Sequence, residues 1–181
     1  MLTLPPMPAW QAIHPLVIHF PIVLLLIAPM FIVIGVTLQP ARSFPFLLVA
    51  LILMMLGTAS TFFAISSGEA AGELAENVPH AKAVLEEHQE LAEITAGMFS
   101  ALTLIFASIL FVPKLLQLQP SRAISTVLPL VFLMFYATGA ISLANTSHQG
   151  GRLVHELGVR APMQPGSVAA QKASDAIPDP L

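Results

Sequence analysis

The feature that most constrains this chain is the run from Pro15 to Leu38, which holds no Asp, Glu, Lys or Arg. A helix needs about 20 apolar residues to cross the hydrocarbon core of a bilayer, so a run of this kind spans it. Backbone polar groups inside lipid must be satisfied within the segment, which makes the span helical. Three more uncharged segments follow: Phe44–Ser66, Ile94–Val112 and Ala123–Ala144. The expected fold class is therefore an all-α membrane protein. Residues 1–158 form a four-transmembrane-helix bundle with an extended third helix, and residues 159–181 a disordered C-terminal tail.

Composition narrows the function classes. The 181 residues are 56% hydrophobic and 9% charged, against about a quarter charged in a soluble domain. A net charge of -3 with no basic patch gives no reason to expect nucleic acid. There is no cysteine, so disulfides, thiolate metal sites, iron–sulfur clusters and covalently attached haem are excluded. Any site must use histidine, carboxylates or backbone. Met1 to Gln11 carries no Lys or Arg, and the apolar run after it is too long for a cleavable signal, so it is read as a retained first span.

Local signals place the segments. Pro15 suits a first helical turn, while Pro21 and Pro29 are expected to bend the first span. His14 precedes a proline and is expected outside the helix. Gly57, Thr61, Ala64 and Gly68 form a small-residue stripe, which reads first as close helix packing and second as a groove for a flat cofactor. The chain is expected to leave the membrane at Ser67–Glu73. A helix start is expected at Asn77-Val78-Pro79, with Pro79 in first position. From His80 one helical pattern continues to about Leu116. Val84, Leu85, His88, Leu91, Ala92 and Thr95 share its apolar face, and Glu86, Glu87, Glu90 and Glu93 lie elsewhere. In the fourth segment Thr138, Ser142, Asn145 and Gln149 fall on one face, expected to point inward.

Four spans put all six histidines at one end of the bundle. His14 and His19 open the first span, His80 and His88 precede the third, and His148 and His155 follow the fourth. An ionisable side chain near membrane depth is a functional candidate by default. The two short turns at the other end hold Arg42, Lys114 and Arg122 without an acid. By the positive-inside rule those turns are cytoplasmic, and the histidines and both termini extracytoplasmic.

Imidazole ligates haem iron as well as copper, zinc and non-haem iron. A bundle with facing histidines suits haem b, with His19, His88 and His148 as first candidates, His14 next, and Arg152 as a partner for the propionates. The alternative is a Cu, Zn or Fe ion held by His14, His19, His88 and His148, with a carboxylate such as Glu69. A third reading is a structural anchor whose histidines only hydrogen-bond. His80 and His155 read as solvated. No phosphate-binding glycine loop and no HExxH occurs, and the spans carry no central charge of the kind an ion-coupled transporter uses. The expected function is an electron-transfer or binding subunit more than a stand-alone enzyme.

The stretches His14-Pro-Leu-Val-Ile-His19-Phe-Pro21, Gly68-Glu-Ala-Ala-Gly72, His88 and His148-Gln-Gly-Gly-Arg-Leu-Val resemble a bacterial membrane family. It is catalogued as domain of unknown function 2231, and the resemblance covers about Ile13 to Gly158. The family has no established activity. Some relatives are joined to haem-c or Rieske-type domains, which implies electron transfer at the bacterial inner membrane. The partners so implied are the bilayer, a quinone, and an extracytoplasmic cytochrome or Rieske-type protein. The family pattern often has an aromatic where this chain has His155, which implies that His155 is not a ligand.

Overall fold

The computed structural model of the chain describes residues 8–73, 75, 78–119 and 121–159. The described residues form five helices: α1 (Trp10–Val17), α2 (His19–Thr37), α3 (Pro40–Gly72), α4 (Ala81–Leu115) and α5 (Arg122–His155). Together α1 and α2 make the first of four spans, each long and apolar enough to cross a membrane. The expected tail lies outside the described residues from residue 160 onward.

Proline chemistry explains the split first span. Pro21 has no N–H for the carbonyl of Val17, and its ring crowds that carbonyl, so the helix yields one turn before it. The break falls at Ile18, bridged by Ile18 N–H to the His14 carbonyl at 3.1 Å and Ile22 N–H to the Ile18 carbonyl at 3.4 Å. His14 lies inside α1, against the expectation drawn from Pro15. The pre-proline preference is weaker than the packing of α1 along α3, which also gives the ring a hydrogen bond.

Helix α4 starts at Ala81, two residues later than expected, behind a left-handed His80 (φ 64°). Asn77 lies outside the described residues. An extended third helix is present, with 35 residues, but α3 and α5 match it with 33 and 34. At about 1.5 Å per residue each is about 50 Å long, well beyond a hydrocarbon core of about 30 Å. The first acid on α3 is Glu69, and nothing before Gly72 stops the helix.

The bundle closes as a ring: α2 packs on α3, α3 on α4, α4 on α5 and α5 on α2, with α1 lying along α3. Residues at helical spacing build the core: Leu25, Ala28 and Ile32; Ala50 and Met54; Phe99, Leu102 and Phe106; Phe132 and Tyr136. Gly57 lets α2 approach, since a Cβ there would stand 2.7 Å from the Leu25 side chain. Phe62, Phe63, Leu104, Met134 and Phe135 point outward, each more than half exposed, as lipid-facing residues do.

The histidine end has a small apolar cluster of its own, Ala75, Ala81 and Leu153 with Val78, Leu85, Leu157 and Val159 against them. It forms because the chain just beyond α5 turns at a left-handed Gly158 (φ 70°), which brings the Val159 N–H back onto the Leu153 carbonyl at 3.0 Å.

Candidate functional site

Below that cluster lies a cavity of about 520 Å³ between the two helix pairs. From α1, the break and α2 it takes Gln11, His14, Pro15, Ile18 and Ile22, and from α3 Thr61, Ala64 and Gly68. From α4 come Leu85, His88 and Ala92, and from α5 Leu143, Thr146, Gly150 and Gly151. The surface is mainly apolar, with Glu69 and Glu93 at the rim, and no Lys or Arg lines it among the described residues.

Two histidines from different helix pairs come close to each other in the lining of this space. The rings of His14 and His88 stand 6.4 Å apart between centres, with their planes at 82°. Each is tied at Nδ1. His88 Nδ1–H donates to the Thr146 carbonyl at 2.9 Å, a partner that can only accept. His14 Nδ1 lies 3.0 Å from Ser67 Oγ. The Ser67 hydroxyl proton already goes to the Ala64 carbonyl at 3.1 Å, so His14 Nδ1–H is the donor. Both neutral rings are thereby fixed in the tautomer whose Nε2 carries a free lone pair. Neither Nε2 has a protein partner among the described residues, and both rings line the cavity.

The surrounding residues hold this arrangement. A Cβ at Gly68 would stand 3.0 Å from Cε1 of His14, and one at Gly150 would stand 3.0 Å from Cε1 of His88. Glycine therefore lets each ring lie flush against the neighbouring helix. On the His88 side the hydroxyls close a loop: Ser142 Oγ–H to Thr95 at 2.7 Å, Thr95 Oγ1–H to Thr146 at 2.9 Å, and Thr146 Oγ1–H to the Ser142 carbonyl at 3.0 Å. The loop fixes α4 against α5 close to the carbonyl that His88 uses.

The other expected site residues lie apart. His19 and His148 are exposed and do not line the cavity. Arg152 is outside the lining, bound through Nε to Glu156 at 3.0 Å and through Nη1 to Gln149 at 2.9 Å. His80 is exposed, and His155 is exposed at the cavity edge. Among the described residues no group of three or more His, Asp or Glu side chains converges in a way that suits a metal ion. Of the polar stripe on α5, Ser142 and Gln149 turn inward, while Thr138 and Asn145 are exposed.

Ser67, Thr146 and Gly150 were not singled out by sequence reasoning. The adjacent Ser67-Gly68 near the end of α3 was the available signal on the His14 side; on the His88 side the partner is a backbone carbonyl, which sequence does not mark.

Compared with known proteins, residues 11–162 match the family model described as Predicted membrane protein (DUF2231). No curated protein and no solved structure matches the chain.

Proposed function

The chain belongs to that family of membrane proteins, and from this premise we propose that it is a small b-type cytochrome-like redox subunit. Its haem would lie between His14 and His88. The observation that carries the reading is the spacing of the pair. Metal–imidazole bonds run to about 2.0–2.1 Å, so two imidazoles sharing one metal would stand roughly 6 Å apart between ring centres. The rings here stand at 6.4 Å, with Nδ1 anchored and Nε2 free on both. A metal-binding histidine characteristically donates its other N–H to a carbonyl or similar acceptor, which orients the ring and raises its basicity.

Cavity size separates a macrocycle from a bare ion. Cofactor pockets run to about 300–1,000 Å³, and this one has about 520 Å³. Structural zinc takes four ligands and catalytic zinc three; here two imidazoles face each other over a large apolar space. Bound haem would supply one-electron transfer. The chain's residues would orient its ligands and keep its surroundings apolar.

In this reading the protein is a multi-pass protein of the bacterial inner membrane, with the histidine end extracytoplasmic. It would pass electrons between a membrane quinol and an extracytoplasmic acceptor. Purified protein should show a Soret band and a sharp reduced α-band at one haem per chain. His14→Ala or His88→Ala should abolish the low-spin spectrum, and His19→Ala and His148→Ala should leave it. A wild-type chain purified from haem-replete cells without haem would refute the reading.

A further inference from the structure

The two histidines are held unequally. His88 sits within α4, where Pro113 near the far end is the one proline. Its anchor is a backbone carbonyl, at a residue fixed by the Thr95–Ser142–Thr146 loop. His14 sits on the eight-residue α1, with Pro15 beside it and the break at Ile18 behind it. Prolines 15 and 21 each remove a helical hydrogen bond that would stiffen this arm. Its ring is tied to a single hydroxyl, that of Ser67.

There is also room for the arm to move. Helix α1 lies on α3, whereas α2 beyond the break is held by both α3 and α5. Ser147, Gly151 and Val154 line the same cavity along one face of α5. Among the described residues, nothing beyond the adjoining residues and backbone of α5 itself lies within 4 Å of where a Cβ on Gly151 would be.

Resting on the haem reading, we infer that His14 is the exchangeable ligand, and that the reduced centre takes a small neutral diatomic molecule in its place. With haem bound, His88 would hold the iron and His14 Nε2 would give up its place to a molecule that brings its own electron pair. No electron or proton is transferred. The ligand is neutral because Pro15, Ile18, Ile22 and Ala64 make the His14 side apolar, and Glu69 and Glu93 at the rim repel anions.

The test uses the purified haem-containing chain, reduced with dithionite and titrated with carbon monoxide. The wild type should give a carbon monoxide difference spectrum, while the oxidised protein should not respond to cyanide or azide. Ser67→Ala removes the acceptor from His14 Nδ1–H and should raise carbon monoxide affinity by about 10–100-fold, the usual effect of losing such a partner. His14→Ala should keep haem and bind carbon monoxide fully, whereas His88→Ala should lose haem. A reduced haem spectrum untouched by carbon monoxide in both wild type and Ser67→Ala overturns the inference and leaves the haem reading standing. So does retention of haem by His88→Ala with its loss from His14→Ala. Cyanide binding by the oxidised wild type contradicts the neutral-ligand assignment. A wild type without haem fails both, and the spectrum recorded before carbon monoxide is added tells the cases apart.

Discussion

Pro29 has no N–H for the carbonyl of Leu25 four residues earlier, and inside a bilayer no water can take its place. Tyr136 does so from α5, donating its hydroxyl to that carbonyl at 2.6 Å. Tyr136→Phe should therefore destabilise the protein by about 1–3 kcal/mol, the cost of a buried carbonyl left without a partner. Pro29→Ala restores the N–H, so in that background the same change should cost much less. Unfolding in detergent measures both, and equal losses in the two backgrounds would contradict the pairing. At the site, Gly150→Ala sets a Cβ 3.0 Å from the His88 ring. Under the haem reading this should displace the ligand and lower haem occupancy, and a haem assay on membranes would detect it. The sequence made His88 conspicuous because it sits on an apolar helical face. It could not show that His14 is its partner, since direction across a proline-broken helix cannot be read from periodicity.

At the scale of elements, length and charge located all four spans but not the helix ends. Uncharged stretches report where lipid is, while a helix continues until something stops it, and neither Glu69 nor Ser147 does. The extra turns of α3 and α5 carry Gly68 and Gly150, so the part of each helix beyond the apolar run builds the site. The break between α1 and α2 is the other element-scale device. Pro21→Ala supplies the N–H for the Val17 carbonyl and should fuse the two helices into one. A straight first span would turn His14 away from Ser67. The low-spin spectrum should weaken while the fold persists, and unchanged spectra would show that the break has no part in placing His14.

For the whole molecule, the two helix pairs act as two walls, each presenting one histidine backed by one glycine. Each half of the chain, a pair of spans joined by a short turn, contributes one histidine to this pair. Reporters fused after Arg42 and after Asn77 should emerge on opposite sides of the membrane, and both on one side would contradict the four-span bundle. The central claim is that His14 and His88 hold one haem between perpendicular imidazole planes. Electron paramagnetic resonance of the oxidised protein tests it most directly, because near-perpendicular axial imidazoles give a strongly anisotropic low-spin signal and near-parallel ones an ordinary rhombic one. With the planes at 82°, the account predicts the strongly anisotropic signal in the wild type and its loss in both His14→Ala and His88→Ala. A rhombic signal, or a low-spin signal that survives either substitution, would contradict it.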